Sequence, residues 1–278
     1  MNNFVKSHGL GNDYIVIDEK KLTIKLNKAL IKKICNRNYG IGSDGLLLVV
    51  PSKKADFGLR IFNPDGSEAE KSGNGLRIFS KFLYDNKYTK KRVFTIETRG
   101  GVVKSEIMRS SKVSNMVKVE MGHASFESKK IPLLSNKKLA INEKIKIKGE
   151  ELVFTAVTVG NPHCVIFKDK ITPEDVTKYG PLLEKNRRFP KRINIQFAQV
   201  ISRNRVKIEI WERGAGYTLA SGSSSCAVVS AGHKLGLLNK RVRVEMQGGF
   251  LFIEIDDSQN LIMEGPVEQI CSGEISFV

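Results

Sequence analysis

Cysteine is scarce in this 278-residue chain. Its four cysteines, Cys35, Cys164, Cys226 and Cys271, lie far apart and form no CxxC pair. Neither a disulfide framework nor a zinc site follows, so no metal is expected, and a reduced, cytoplasmic setting is. Long apolar runs are missing as well. The run from Leu46 to Val50 stops after a few residues, far short of the ~20 that a membrane-spanning helix needs. The opening Met1-Asn2-Asn3-Phe4-Val5-Lys6 lacks the basic, apolar and small-residue order of a secretory signal. Acidic residues are in deficit, 29 against 46 basic, a formal net charge of +17. That surplus suggests a nucleic-acid partner, but its distribution argues against one. Lysine supplies 32 of the 46, spread in twos and threes such as Lys32-Lys33 and Lys90-Lys91, and arginine, which makes bidentate base contacts, supplies 14. With no block of five or six basic residues, the charge reads as solvated surface.

What is present is an ordinary globular composition, 41% hydrophobic and 27% charged, in a chain long enough for one large or two medium domains. A shift of 149 residues brings the sequence into register with itself. Gly11-Asn12 falls on Gly160-Asn161, Val16-Ile17 on Val165-Ile166, Arg60-Ile61-Phe62-Asn63 on Glu209-Ile210-Trp211-Glu212, and Ser72-Gly73 on Ser221-Gly222. Two homologous domains follow, near 1–120 and 121–269, with the last segment, 270–278, returning to the first. Each half reads in the same order. A short strand comes first, Ile15-Val16-Ile17 or Cys164-Val165-Ile166. An alternating strand follows, Phe57 to Phe62 or Val206 to Trp211, and then a Gly-rich turn. The next segment is a helix, with Leu76, Phe79, Phe82 and Leu83 or Ala227, Val228, Ala231 and Leu235 at helical spacing. The Lys/Ser-rich segment 126–150 reads as surface loop and edge strand.

Both halves set a small polar residue beside glycines where the helix begins. The first turn of a helix offers unpaired N–H groups and the positive end of the dipole, a setting for a carboxylate. Two such junctions facing one another would hold one substrate carboxylate and offer a reactive side chain to each face of an α-carbon. Glycines that only make tight turns are the plainer reading of either junction alone; the shared offset favours a site.

At these positions the chain resembles a known family. The blocks His8-Gly9-Leu10-Gly11-Asn12-Asp13-Tyr14, Gly42-Ser43-Asp44-Gly45, Arg60 to Ser67, Ser72-Gly73-Asn74-Gly75, Gly160-Asn161-Pro162-His163-Cys164 and Trp211 to Gly216 look like the signature of diaminopimelate epimerase. The resemblance implies an α/β (α+β) fold of two pseudo-symmetric domains. Each would be a curved, mainly antiparallel sheet around a central helix, with the active site between them. It implies interconversion of LL- and meso-diaminopimelate by two-base α-proton transfer, in lysine and peptidoglycan precursor biosynthesis. No pyridoxal phosphate or other cofactor would take part. The partner would be a small amino acid rather than nucleic acid or membrane, and a homodimer is compatible with it. Carried over by position, Ser72, Ser221, His163 and Glu212 form the catalytic set, with His163 assisting one base. Asn12, Asn63, Asn161 and Asn194 would hold the substrate's polar groups. Gly73, Asn74, Gly222 and Ser223 would donate to the α-carboxylate, and Glu212 and Arg213 would bind the α-amino group.

The departure is at the centre. The family carries catalytic cysteines where this chain has Ser72 and Ser221. A thiol with a reference pKa of ~8.5 is brought into range by a helix dipole; a serine hydroxyl is a far weaker acid and needs a neighbouring base. His163 is the one motif histidine that would serve one side, and no partner is visible for the other. Tyr217 stands where glutamate is usual, and Ser223-Ser224-Ser225 where Thr/Ser-Gly-Ala is. Paired replacement of the cysteines and natural divergence both account for the serines; the companion changes favour divergence. An epimerase or racemase of another amino acid, and a catalytically silent amino-acid-binding protein, stand as alternatives. Cys226 reads as packed, Cys35 and Cys271 as packed or inert, Cys164 as pointing away from His163, and Trp211 as packed in the second sheet.

Overall fold

The computed structural model describes residues 2–110 and 114–276. It comprises two compact units, Met1–Glu120 with Glu264–Val278, and Met121–Met263. The first holds β1 (Asn3–Gly9), β2 (Asn12–Asp18), α1 (Lys28–Cys35), β3 (Leu46–Val50), β4 (Phe57–Phe62), β5 (Glu68–Ala69), α2 (Gly73–Asp85), β6 (Val93–Thr98) and β7 (Gly101–Ser110). Strand β8 (Ser114–His123) carries the chain onward. The second holds β9 (Glu143–Ile147), β10 (Glu150–Thr158), β11 (Pro162–Phe167), α3 (Pro173–Glu184), β12 (Asn194–Ser202), β13 (Arg205–Glu212), β14 (Gly216–Thr218), α4 (Gly222–Lys234), β15 (Arg241–Met246) and β16 (Gly249–Ile255). Strand β17 (Asn260–Glu274) runs back into the first unit. The chain returns at Glu264 rather than at 270, because β17 is unbroken and pairs with β1 from Glu268 to Glu274.

The 149-residue register is visible in the backbone. Helices α2 and α4 are offset by 149 at both ends (222 − 73 and 234 − 85). The parallel pair Ile15↔Leu46 of β2 and β3 recurs as Cys164↔Ile195 of β11 and β12. The antiparallel pair Leu46↔Phe62 recurs as Ile195↔Trp211. In each unit most pairings are antiparallel, with parallel ones at β2–β3 and β4–β6, and at β11–β12 and β13–β15.

The central strands are apolar on both faces because both faces are covered. In the first unit Ile15, Ile17, Leu46 and Leu48 pack with Ile31, Ile34 and Cys35 of α1. Side chains alternate along a strand, so Asn12, Tyr14, Val16 and Leu47 point to the other face, toward α2. A Cβ on Gly75 of α2 would come within 3.1 Å of Leu47 Cδ2. In the second unit α3 supplies Val176, Tyr179 and Leu183 against Cys164, Ile166, Ile195 and Phe197. The opposite face carries Asn161, His163 and Gln196 toward α4. Strands β10, β11, β12, β15 and β16 all touch α4, as β1, β2 and β7 touch α2, so each sheet curves around its central helix. Residues Asn74 to Leu83 of α2 are buried in an unbroken run. No helix among the described residues is long and apolar enough to cross a membrane.

Two expectations need correction and one is made specific. The segment 126–150 is not only surface: Ile131, Leu133, Ala140, Ile145 and Ile147 join the second core, and β9 alternates buried and exposed residues. Its lysines hid that alternation, since they occupy the solvent side of the same strand. Cys271 is exposed, opposite Lys6 on β1, whereas Cys35, Cys164 and Cys226 are buried. Leu235 caps α4 rather than lying within it. Trp211 packs against the second core as expected, and its indole N–H donates to Glu184 at 2.8 Å.

Both central helices start on a serine with extended backbone, Ser72 and Ser221, whose hydroxyls accept from Gly75 N at 3.1 Å and Ser224 N at 3.4 Å. Urea denaturation of Ser72→Ala and Ser221→Ala should show losses of about 1 kcal/mol each, the larger for Ser72, where the cap is shorter. Gly45→Ala should lose about 1–3 kcal/mol by overpacking, since its Cβ would stand 2.6 Å from both Phe62 O and Tyr14 Cε1.

Candidate active site

In the first unit the site residues gather at the start of α2. Strand alternation brings Asn12 and Tyr14 onto the face that meets this helix. The Tyr14 hydroxyl lies 3.1 Å from Ser72 Oγ. The Asn12 carboxamide is oriented from both ends: its Nδ2 donates to Asp44 Oδ2 at 2.9 Å, and its Oδ1 accepts from Asn74 Nδ2 at 3.1 Å. Asn74 Oδ1 in turn accepts from the buried Arg77 guanidinium at 2.8 Å. Behind Asn12, Arg37 Nη2 bridges Asp13 Oδ1 and Asp44 Oδ1, each at 2.7 Å. Burial pushes the Asp13 carboxyl up, but hydrogen bonds from Arg37 and Lys6 outweigh it and hold the group below its usual range. Arg37 and Asp44 thus set the direction in which Asn12 points.

In the second unit the same face carries Asn161 and His163 to the start of α4. Asn161 Nδ2 donates to Ser223 Oγ at 3.4 Å, matching the Asn12–Asn74 contact at the 149 offset. Ser221 Oγ lies 3.5 Å from Ser223 Oγ. Burial raises the pKa of the Glu212 carboxyl above its ordinary 4.5, against the lowering effect of the neighbouring Ser221 hydroxyl. Glu212 ends β13, and the turn after it is held by Glu184, which accepts from Gly214 N at 3.1 Å as well as from Trp211.

The expected partners separate into those that gather and those that do not. Ser72, Gly73, Asn74 and Asn12 meet at α2, and Ser221, Gly222, Ser223, Asn161 and Glu212 at α4. Asn63 is bonded within its own exposed turn, Nδ2 donating to Ser67 Oγ at 2.9 Å. Asn194 is committed to the backbone: Nδ2 donates to Pro162 O at 2.7 Å and Oδ1 accepts from Arg213 N at 2.9 Å. It fixes the Arg213 turn rather than offering an open amide. The Arg213 guanidinium donates to Lys191 O at 3.1 Å.

His163 differs most from its expected part. It is fully buried, and burial pushes its pKa down to about 3, opposed by the Gln196 bond and reinforced by Arg213. Its Nε2 donates to Asn161 Oδ1 at 2.9 Å, and its Nδ1 accepts from Gln196 Nε2 at 3.0 Å. A neutral ring with both nitrogens committed orients Asn161 and is not a general base in this arrangement. Gln196 also donates to Ser224 Oγ at 3.0 Å, tying ring, strand and helix together.

Sequence reasoning missed Tyr14, Asp44, Arg37, Arg77 and Gln196. Tyr14 was within reach, since it is the register mate of His163 (14 + 149 = 163). Tyr217 is also explained: its hydroxyl donates to the buried Glu209 at 2.8 Å, and Gln247 donates to the other oxygen at 3.0 Å. Among the described residues no group of three or more His, Cys, Asp or Glu is placed to hold a metal ion.

Chemically, each junction offers a helix start for an anion, a carboxamide for a polar group, and a hydroxyl beside a group able to exchange a proton. The family model for diaminopimelate epimerase matches residues 4–127 and 155–270. Diaminopimelate epimerase 2 of Nostoc sp. is 50% identical over 98% of this chain and 95% of its own length. Diaminopimelate epimerase of Carboxydothermus hydrogenoformans is 43% identical over 98% of both. Among solved structures, a hydroxyproline epimerase from Agrobacterium vitis superposes with a TM-score of 0.72 at 12% identity, covering 99% of this chain and 90% of that one. A PhzF-family phenazine biosynthesis protein from Bacillus anthracis gives 0.68 at 14%, covering 99% and 98%. At such identities these two speak for the fold, whereas the matched model and the relatives that align end to end establish descent: the chain belongs to the diaminopimelate epimerase family.

Proposed function

We propose that this chain epimerises diaminopimelate between its LL and meso forms, in the cytoplasm and without a cofactor, by two-base α-proton transfer. The observation that carries the reading is the buried Glu212 carboxyl interacting with Ser221 at the start of α4, because it supplies what a serine in place of a cysteine lacks. Inversion needs one group to remove the α-proton and another to return one from the opposite side. The reading assigns these tasks to the capped hydroxyls Ser221 and Ser72. At Ser221, the α-proton passes to Oγ as the hydroxyl proton passes to Glu212, so the carboxylate is the base and the serine its relay. Burial lifts the Glu212 pKa toward working pH, which makes it a better base. The helix starts at Gly73-Asn74 and at Gly222-Ser223 each offer a seat for a substrate carboxylate. Their N–H groups stabilise the charge that grows on the carboxylate as the carbon acid ionises. Asn12 and Asn161, each held in one orientation, take further polar groups.

Serine at both caps favours a second reading, a binding protein that keeps the cradle and has lost turnover. Incubation in heavy water separates the two. The epimerase incorporates deuterium at Cα of diaminopimelate and interconverts its isomers; the binder shows ligand-induced thermal stabilisation without exchange. Absence of exchange at high enzyme concentration would sink the first reading.

Glu212→Gln should lower kcat by about 100-fold or more with a smaller change in KM. Because only the carboxylate accepts a proton, activity should fall as pH drops through the raised pKa of Glu212. The acid limb of the rate profile therefore lies above pH 4.5. An acid limb below that value would remove Glu212 from the role.

A further inference from the structure

We propose that the Tyr14 phenol is the proton partner of Ser72, the group through which this hydroxyl gives up and regains its proton. The inference rests on the epimerase reading and completes it, since that reading assigns Ser72 no proton partner. The 149 offset shows why one is needed. The register mate of Glu212 is Asn63 (212 − 149), whose amide takes no proton and is bonded to Ser67 at 2.9 Å. What Glu212 does for Ser221 is therefore not done for Ser72 by the equivalent residue.

Ser72 Oγ meets the Gly75 N–H and the Tyr14 hydroxyl, each at 3.1 Å. The amide is a fixed donor. The phenol belongs to a class with a reference pKa of ~10 and can donate or accept toward a hydroxyl. With Tyr14 donating, the Ser72 proton is free to point at a substrate; with Ser72 donating, an oxygen lone pair is. A carrier that must serve both directions of an epimerisation needs both states. Tyr14 is 8% exposed, and its ring occupies the space that Gly45 leaves by lacking a Cβ. The residue before it, Asp13, is clamped by Arg37 at 2.7 Å, so the phenol is presented from a fixed strand. The second unit makes the opposite choice at the same register: His163 turns to Asn161 and Gln196, and the cap hydroxyl is served by Glu212 instead.

The step balances without a further reactant. The Ser72 O–H bond breaks as its proton forms the new C–H bond at Cα, and the Tyr14 O–H proton moves onto Ser72 Oγ, leaving a phenolate. The proton removed from the substrate stands on Glu212. Solvent water returns a proton to the phenolate and takes one from the carboxyl. In the reverse direction the phenolate draws the proton back through Ser72. Tyr14 does not touch the substrate in this step and exchanges its proton only through Ser72 Oγ.

The test is Tyr14→Phe, which keeps the ring and removes the hydroxyl, measured in the full chain and again with Ser72→Cys. In the serine enzyme kcat should fall about 100-fold with KM within about threefold, the size expected for losing acid–base help. With Ser72→Cys the same change should cost less than about threefold, because a thiol of reference pKa ~8.5 needs no such partner. A Tyr14→Phe enzyme within threefold of the unaltered one overturns the assignment while the epimerase reading stands. An equal loss in both backgrounds, or an inactive Ser72→Cys enzyme, overturns it as well, the former marking Tyr14 as a structural prop. If the unaltered chain shows no α-proton exchange, the epimerase reading fails first and takes this one with it.

Discussion

A helix that begins inside a protein must find acceptors for its first N–H groups, and that constraint governs this fold. Helices α2 and α4 are buried on nearly every side. Their first turns cannot be left to bulk water, so a side-chain oxygen has to close each of them. Ser72 and Ser221 do so from extended backbone. The hydroxyl that closes the helix is thereby fixed at the positive end of its dipole, among N–H groups still available to an anion. On the epimerase reading, architecture and chemistry share one atom in each unit.

Duplication explains what was kept, and alternation explains what was changed. The positions 12 and 161, 72 and 221, and 74 and 223 retain the same contacts at the same offset. Between them, residues that face the central helix have diverged. Leu47 lines α2, while its mate Gln196 reaches α4 through Ser224 and holds His163. Tyr217 extends the pattern. A tyrosine where the family has glutamate would strand a polar group, but the buried Glu209 accepts its proton and Gln247 satisfies the remaining oxygen.

Much of this was legible in the sequence because it is written in spacing. The repeat, the strand–turn–helix order and the junction serines follow from periodicity and offset. What could not be read depends on burial and direction. His163 looked like a base because histidine is the usual one; full burial and two committed nitrogens make it a neutral anchor. Asn194 looked like a ligand-holding amide, yet backbone groups of Pro162 and Arg213 use both its ends. The lysines of 126–150, read as surface loop and edge strand, masked the residues that this segment gives to the core. Tyr14 went unremarked because a phenol next to a serine becomes visible only when two distant segments meet.

Serine is a strong helix cap and a weak acid, so exchanging thiol for hydroxyl moves the burden of proton exchange onto the neighbour. In the assignment proposed above those neighbours are unlike: a carboxyl at Ser221 and a phenol at Ser72. At neutral pH their resting states are already set for one direction, since a carboxylate is ready to accept and a phenol to donate. The opposite enzyme form, carboxyl protonated and phenol ionised, is higher in free energy by the gap between the two pKa values. A wide gap would make that form costly to reach, as the product state of one direction and the starting state of the other. Burial of Glu212 raises its pKa and so narrows the gap from the lower side. Desolvating this carboxyl therefore does two things at once: it strengthens the base, and it brings the two carriers closer to the equality that a freely reversible epimerase requires.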